Sequence, residues 1–217
     1  MQRLDCIHST RRRILRALAA AAIPALAAAS VSALAQPTLP STPAQTEGPF
    51  YPKTIPPDHD ADLTQVIGHA APAQGIRLYL AGRVRAPDGT PRAGATVELW
   101  QCDAYGRYHH AGDAGSPRDD GFQGYGVTTT DAEGRYAFKT IRPVPYTGRV
   151  PHIHVKVRTA GGTSLTTQIY IKGDPTAGDP VLAWSPKGTL ELLTTTLAPA
   201  PGREPGALAG TFDIVLR

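Results

Sequence analysis

The chain has 217 residues, 41% of them hydrophobic and 18% charged, which is enough for one domain with a well-developed core. Its formal net charge of +4 is concentrated at the N-terminus, because residues 1–35 hold five of the 22 basic residues and one of the 18 acidic residues. The rest of the chain carries 17 of each, so we expect no basic surface for nucleic acid.

Residues 1–35 have the pattern of an export signal. A basic stretch, TRRRILR, is followed by an uncharged, alanine-rich run that ends in Ala-Leu-Ala at Ala35. The paired Arg11 and Arg12 indicate the twin-arginine route, while a general secretory signal or an uncleaved anchor are the alternatives. Pro24 lies within the alanine-rich run, which makes the run a poor membrane-spanning helix. We therefore expect cleavage after Ala35 and a periplasmic protein with no membrane attachment.

The chain after the signal begins with a proline-rich, polar stretch at 36–45, QPTLPSTPAQ, which predicts an unpacked leader. Residues 46–217 are then expected to form one domain. Cys102 is the only cysteine after position 35, which excludes an intrachain disulfide and a thiolate cluster in this part.

Seven segments of the domain are short, alternating or β-branched, and are bounded by turn residues, as β-strands are. They are residues 76–84, 95–101, 125–130, 135–141, 151–158, 164–171 and 211–216. Turn chemistry stands at 87–90 (PDGT) and at 131–134 (DAEG). No segment has a sustained apolar period of 3.6 residues, so helices should be few. The pattern predicts an all-β, antiparallel β-sandwich with long loops at 46–75, 102–124 and 172–210.

The fifth predicted strand, PHIHVKV, places two histidines one residue apart among valine and isoleucine. Side chains alternate along a strand, so His152 and His154 share one face and Ile153 and Val155 the other. Next-but-one Cα atoms lie roughly 6.5–7 Å apart, and imidazoles at that spacing can meet at one ion. Two partly exposed histidines on an ordinary strand are the alternative, and zinc or copper would also suit such a pair.

Two tyrosines are candidates to complete a metal site. Tyr108 lies in the loop after the second strand, and Tyr146 precedes the histidine strand by a few residues. Phenolate oxygens are hard, anionic donors, so two of them with two imidazoles favour ferric iron over copper or zinc. Taken alone, each tyrosine is typical of a packed sheet aromatic.

The chain resembles the intradiol ring-cleavage dioxygenases of the protocatechuate type, which open catechols between the two hydroxyls. The resemblance runs from about Thr46 to Pro175. It is carried by QTEGPFYP (45–52), GATVELWQCDAYGRYHH (94–110), TTDAEGRYAFKTIRPVPY (129–146), GRVPHIH (148–154) and TQIYIKGDP (167–175).

The resemblance implies one ferric ion per chain, with four protein ligands: Tyr108, Tyr146, His152 and His154. It makes Tyr146 and His154 the axial ligands, and it gives Tyr146 a second role as the base that takes a catechol proton. The implied reaction inserts both atoms of O2 into a catechol-type substrate and yields a diacid of the cis,cis-muconate type.

Three further residues receive roles from the same resemblance. Arg149 matches an arginine that stabilises the substrate, and Trp100 and Gln168 match residues that line the pocket. Their structural alternatives are a solvated loop cation for Arg149, plain core for Trp100 and a hydrogen-bonding position at a sheet edge for Gln168.

Two departures from the family pattern concern substrate and assembly. Only Thr147 and Gly148 separate Tyr146 from Arg149, which removes pocket wall and leaves the ring substituents of the substrate open. Protocatechuate-type enzymes pair two different subunits, whereas one chain here has both TEGPFYP and a full ligand set. We therefore expect a self-sufficient subunit, which is compatible with a homo-oligomer.

Two other functions fit parts of the chain. Residues 80–141 also resemble small β-sandwich modules, which would make a non-enzymatic binding protein. A periplasmic copper- or zinc-binding protein would keep the metal site without ring cleavage. The bound metal and the colour of the protein separate these functions from a ferric enzyme.

Overall fold

The computed structural model of the chain describes residues 38–217, so the predicted signal at 1–35 lies outside the described residues. In this part of the chain, ten strands and two short helices follow one another. They are β1 (Arg77–Arg85), β2 (Thr96–Trp100), β3 (Tyr125–Thr129), β4 (Arg135–Ile141), β5 (His152–Arg158), β6 (Ser164–Ile171), α1 (Pro180–Ala183), α2 (Thr189–Leu192), β7 (Thr194–Thr195), β8 (Leu197–Pro199), β9 (Leu208–Thr211) and β10 (Ile214–Val215).

The strands form two five-stranded sheets. One has the order β10-β1-β9-β8, with β4 also paired to β1, and the other has the order β3-β2-β5-β6-β7. The predicted β-sandwich is confirmed, but the expectation of wholly antiparallel pairing is wrong at three places. Strands β9 and β10 run parallel to β1, and β7 runs parallel to β6. The cause is connectivity, because these strands return after long connections rather than through hairpins.

The two sheets pack face to face through their apolar residues. Leu78 and Leu80 of β1 meet Ile153, Val155 and Val157 of β5 in one core, and all five are at most 1% exposed. Burying each such side chain contributes about 1.5–3 kcal/mol. Because the apolar residues of β5 face the core, the alternate residues of this strand face away from it.

The described part of the predicted leader is packed against the domain, so the expectation of an unpacked leader is wrong. Backbone N–H groups of Leu39, Thr42 and Gln45 donate to carbonyl groups of the domain at 2.7, 3.0 and 2.9 Å. Thr42 is 8% exposed, and its hydroxyl also accepts the N–H of Val215. These hydrogen bonds give partners to the backbone N–H groups of the segment, and they hold it against the domain although it has few apolar side chains to bury.

The predicted loop at 172–210 has more structure than the sequence indicated. It holds both helices and several short strands, and the predicted strand at 211–216 is divided between β9 and β10. Helix α1 begins after Asp179, whose side chain accepts the first free N–H groups, with Pro180 at the first helical position. Among residues 38–217, no helix is long and apolar enough to cross a membrane.

Candidate active site

The two histidines of β5 meet at their Nε2 atoms. These atoms are 3.2 Å apart, and both side chains are 1% exposed. Nδ1 of His152 donates to the carbonyl oxygen of Val150 at 2.7 Å, which leaves its Nε2 with a free lone pair. Burial and Arg149 lower the pKa of His152 to about 4, and burial, His152 and Arg149 hold the pKa of His154 well below its ordinary value. Both rings are therefore neutral near pH 7, which is the form that binds metals.

Tyr108 reaches the histidines on a loop that turns around a buried carboxylate. Asp103 accepts the backbone N–H groups of Arg107 at 3.0 Å and of Asp119 at 2.8 Å. The Tyr108 ring lies 6.1 Å from the His154 ring between centroids, and its hydroxyl is buried with no hydrogen-bond partner. Burial raises the pKa of the Tyr108 phenol well above its ordinary value. An unpartnered buried hydroxyl costs about 1–3 kcal/mol, so this oxygen is placed for a ligand that is not a protein group.

Tyr146 lies at a tight turn beside the other ligand candidates. The N–H of Arg149 donates to the carbonyl oxygen of Tyr146 at 2.8 Å, which closes the turn over two exposed residues. The Tyr146 ring is 5.2 Å from the Tyr108 ring and 5.5 Å from the His152 ring between centroids. Burial raises its phenol pKa, and the charge of Arg149 opposes that shift. Unlike Tyr108, Tyr146 is partly exposed, so it is the tyrosine that an incoming molecule can reach.

Arg149 is a half-buried cation with fixed partners, not a solvated loop residue. Its side chain is 10% exposed, and its Nε donates to Oδ2 of Asp179 at 2.9 Å. Nη2 donates to Oε1 of Gln168 at 2.6 Å, and Nη1 lies 3.5 Å from the hydroxyl of Tyr146. Burial lowers the pKa of Arg149, but the carboxylate of Asp179 outweighs it and raises the pKa. The guanidinium is therefore charged and faces the tyrosine.

Trp100 and Gln168 flank His154 on the two neighbouring strands. Trp100 of β2 and Gln168 of β6 are the register partners of His154, so the three residues form one row across the sheet. The Trp100 ring stacks on His154 with centroids 4.8 Å apart and planes 8° from parallel. Gln168 is fully buried, and its Nε2 donates to the carbonyl oxygen of Thr46 at 2.9 Å. The structure thus brings all seven predicted site residues to one place.

Residues 46–52, here called the covering segment, lie over this face of the sheet. Gly48 has φ +71°, and a Cβ there would lie 3.4 Å from Cε1 of His154, so glycine suits both the turn and the close approach. Phe50 stacks on Tyr108 with centroids 4.6 Å apart. The covering segment helps to bury His154, and the rings of Tyr146 and Tyr170 lie beside His152, although both histidines face away from the core.

Buried polar contacts attach the covering segment to the sheet. The hydroxyl of Tyr51 donates to Oε2 of Glu98 at 2.6 Å, and Tyr125 donates to the same oxygen at 2.9 Å. Glu98 is fully buried, and Nζ of Lys156 bonds Glu47 at 2.6 Å. A hydrogen bond to a buried charged group contributes about 1.5–3 kcal/mol, so the bond from Tyr51 to Glu98 holds the segment in place. The more exposed pair of Lys156 and Glu47 adds less.

A cleft of about 600 Å³ borders the site. Its lining includes Phe50, Trp100 and Tyr108, but it does not include Tyr146 or Arg149. A molecule bound only in this cleft would not contact the arginine. The cleft is therefore next to the predicted site and is not the site itself.

The donor set at the site fits ferric iron. Among residues 38–217, no three or more His, Cys, Asp and Glu side chains group together as a metal site. The site offers two facing imidazoles and two phenols instead, and phenolates are hard donors that suit a trivalent ion. Burial raises the pKa of the Cys102 thiol to about 12, and its Sγ donates to the carbonyl oxygen of Val144 at 3.6 Å.

The structure adds residues that sequence reasoning missed. Tyr170 lies two residues after Gln168 on the same face of β6, with its hydroxyl 2.9 Å from Oε1 of that glutamine. Strand alternation would have found it. Asp179 contacts Arg149 from 30 residues away, and its sequence signal is only that of a helix cap before proline.

The site thus combines two buried histidines, a buried tyrosine and a half-buried tyrosine on one sheet of a β-sandwich. A family model described as "Dioxygenase" matches residues 46–217. The chain belongs to the intradiol ring-cleavage dioxygenases, which are oxidoreductases that use non-haem iron. Family membership argues against the alternative of a non-enzymatic binding module.

Curated relatives include both chains of one enzyme. The protocatechuate 3,4-dioxygenase beta chain of Burkholderia cepacia is 38% identical over 168 residues, which are 73% of this chain and 72% of that protein. The alpha chain from the same organism is 33% identical over 184 residues, 76% of this chain and 88% of the relative. Catechol 1,2-dioxygenase 1 of Acinetobacter lwoffii is 35% identical, but the match spans 47% of this chain and only 38% of that relative.

Solved structures share the fold. The dioxygenase domain of a dioxygenase carbohydrate-binding protein fusion from Streptomyces sp. SirexAA-E has a TM-score of 0.61 at 30% identity, covering 82% of this chain and 98% of the domain. Catechol 1,2-dioxygenase from Pseudomonas arvilla C-1 has a TM-score of 0.61 at 27% identity, covering 81% of this chain and 62% of that one.

Proposed function

We propose that this chain cleaves a catechol-type substrate between its two hydroxyls and inserts both atoms of O2, using one ferric ion. Tyr108, Tyr146, His152 and His154 would hold the ion. The observation that carries the proposal is the 3.2 Å approach of the two neutral histidine Nε2 atoms in a buried site with two phenols.

When bound, ferric iron supplies the Lewis acidity that favours the deprotonated catechol and activates its ring toward O2. The protein residues divide the remaining work. Tyr108 is fully buried and stacked under Phe50, so it stays in place throughout. His154 is held by its stack on Trp100, and His152 by its bond to the carbonyl of Val150.

Tyr146 is the residue suited to move a proton. Its phenol is partly exposed, and burial raises its pKa above the ordinary value, so its phenolate is a strong base. A catechol has two hydroxyl protons to lose, and the oxygen of Tyr146 would take one of them as the substrate binds.

Arg149 is the residue suited to stabilise negative charge on the ring oxygens. Nη1 faces the Tyr146 hydroxyl at 3.5 Å, and the other two nitrogens have protein partners. The guanidinium is therefore fixed before substrate arrives. Removing one such preorganised donor typically costs about 3–4 kcal/mol of activation free energy.

The substrate class follows from the relatives and from the short turn. The relatives named above are protocatechuate and catechol dioxygenases, and another is a chlorocatechol 1,2-dioxygenase. Thr147 and Gly148 are exposed and contribute little wall to the site. We expect protocatechuate, catechol or a related catechol as the substrate, with tolerance for ring substituents, and a diacid of the cis,cis-muconate type as the product.

The covering segment makes a second chain unnecessary in this proposal. It comes from the same chain as the four ligand candidates, and it packs on Tyr108, Trp100 and His154. A single chain, or a homo-oligomer of it, would then be active. The export signal at 1–35 adds a periplasmic location to the proposal.

Anaerobic titration of the iron-loaded protein with a panel of catechols tests this function. Ferric tyrosinate absorbs visible light, so we expect a coloured protein whose visible band shifts on chelation of protocatechuate or catechol. Admission of O2 should then restore the original band and release the diacid. A colourless protein with bound zinc, or a coloured protein whose band no catechol shifts, would contradict the proposal.

A further inference from the structure

Asp179 is a buried carboxylate that joins helix α1 to Arg149. The residue is 2% exposed, and its side chain is fully buried. Oδ1 accepts the N–H groups of Val181 at 2.9 Å and of Leu182 at 3.1 Å. Oδ2 accepts Nε of Arg149 at 2.9 Å and the N–H of Val150 at 3.1 Å. Four hydrogen bonds therefore fix both oxygens of this carboxylate.

The hydrogen bond that Asp179 accepts from Nε sets the orientation of the Arg149 guanidinium. A guanidinium is planar, so fixing two of its nitrogens fixes the third. Asp179 holds Nε, and Gln168 holds Nη2 at 2.6 Å. Nη1 is then left toward the hydroxyl of Tyr146, 3.5 Å away.

Asp179 is also the counter-charge for the half-buried cation of Arg149. Arg149 is 10% exposed on its side chain, and Asp179 contributes the carboxylate that bonds it. A buried cation that loses its partner is strongly disfavoured and moves toward water or another acceptor. The bonds from Arg149, Val150 and Leu182 outweigh burial and keep the pKa of Asp179 below its ordinary value, so the partner stays charged at neutral pH.

We propose that Asp179 is a positioning residue for catalysis: it holds the guanidinium of Arg149 in the orientation that stabilises the substrate. The inference rests on the role that the proposed function gives to Arg149. The inference gives a positioning role in catalysis to the residue that caps α1, which is outside the set of predicted ligand and pocket residues.

The first test compares kcat in matched variants of the iron-loaded protein. Asp179→Asn keeps the shape of the side chain and one acceptor for the helix cap, and Asp179→Ser keeps a capping hydroxyl without a partner for Arg149. Asp174→Asn is the control, because its carboxylate bonds Arg142 at 2.6 Å in the same connection and does not contact Arg149. We expect a loss of about 10- to 100-fold in kcat for both Asp179 variants, from displacement of a substrate-positioning group, and a change within about twofold for the control.

A double-mutant cycle separates positioning from stability. In an Arg149→Gln background, Asp179→Asn should change kcat by less than about twofold, because the group that it positions is already absent. The melting temperature reports the lost ion pair separately: Asp179→Asn should lower it less in that background, because the carboxylate no longer has Arg149 as its partner. An equal loss of kcat in both backgrounds would mean a merely structural role and would overturn the proposal, as would wild-type kcat in Asp179→Asn.

A second readout does not depend on activity. The Nε–H of Arg149, assigned by its disappearance in Arg149→Gln, should exchange slowly with solvent in NMR spectra of protein that carries no paramagnetic metal. The exchange should be at least about tenfold faster in both Asp179 variants and unchanged in Asp174→Asn. Unchanged exchange in the Asp179 variants would overturn the proposal. If wild-type protein cleaves no catechol but shows these exchange rates, the proposed function fails while the contact between the two residues stands.

Discussion

The Nε2 atoms of His152 and His154 lie 3.2 Å apart, and both residues are only 1% exposed. The one N–H group of neutral His152 is at Nδ1 and donates to Val150. A hydrogen bond between the two Nε2 atoms would therefore need the N–H of His154. A metal ion between them would use both lone pairs. The histidine pair is therefore suited to bind a cation.

Loss of a ligand candidate should remove most of the metal. We expect about one iron per wild-type chain, and only a small fraction of that in His152→Ala or Tyr108→Phe, because three ligands hold a trivalent ion poorly. Tyr125→Phe is the control, since Tyr125 is also buried and loses only its bond to Glu98. Elemental analysis of protein produced with iron available gives the answer. Stoichiometric zinc or copper in wild type, or equal iron loss in the control, would contradict the ligand set.

Tyr146 should behave differently from Tyr108. Tyr146→Phe should keep part of its iron but bind catechol much more slowly, by about 10²–10⁴-fold, because the proposed proton acceptor is gone. Tyr108 is buried and should matter for iron itself. Anaerobic stopped-flow mixing of the holo fraction with catechol measures this. Normal catechol binding in Tyr146→Phe, with iron loss equal to that of Tyr108→Phe, would remove the distinction between the two tyrosines.

The carboxylate of Asp103 should make the free energy of unfolding depend on pH in the acidic range. Burial opposes the shift, but the His109 ring, whose Nε2 lies 3.5 Å from Oδ2, and bonds from backbone N–H groups, including that of Asp119, lower the pKa of Asp103 in the folded protein. The unfolded chain then binds more protons, so the contribution is present above about pH 4 and is lost as pH falls through the folded value. Asp103→Asn should cost about 2 kcal/mol at neutral pH and lose less stability on acidification.

Urea unfolding of wild type and Asp103→Asn across the acidic range checks this. Glu191→Gln, at an exposed position of α2, is the control and should follow the wild-type curve. Parallel curves for wild type and Asp103→Asn would show that the buried carboxylate is not the source of the acid sensitivity.

The predictable parts of the fold are those with a local signal. Strands β4 and β6 have the predicted bounds, and most of the others differ by one residue, because alternation and turn residues define them. The short strands β7 to β10 have too few residues for a period, and β9 and β10 are set by parallel pairing with β1. That pairing is a long-range contact with no local pattern.

The site divides in the same way. The strand period places His152 and His154 on one face, but the covering of His154 depends on Gly48, about a hundred residues earlier. The charge of Asp179 could be read from the sequence, whereas its approach to Arg149 could not. Tertiary contacts of this kind carry no periodic signature.

The proposed export signal at residues 1–35 lies outside the described residues and can be tested by mutation. Replacement of both Arg11 and Arg12 by lysine should leave active protein in the cytoplasm with residues 1–35 attached, because the twin-arginine route transports folded proteins. A four-ligand site exists only after folding, so iron would be inserted before export. Fractionation and the mass of the N-terminus measure this. Export of the lysine variant with cleavage after Ala35 would assign the signal to the general secretory route.

The most direct test of the central claim is the reaction of the iron-loaded chain, by itself, with a catechol under ¹⁸O2. The proposed chemistry predicts a diacid opened between the two former hydroxyl carbons, with both labelled oxygen atoms incorporated. Mass spectrometry of the product measures the label and the bond that was cleaved. A product opened beside the hydroxyls, a quinone without label, or no product from protein with a full complement of iron would contradict the account.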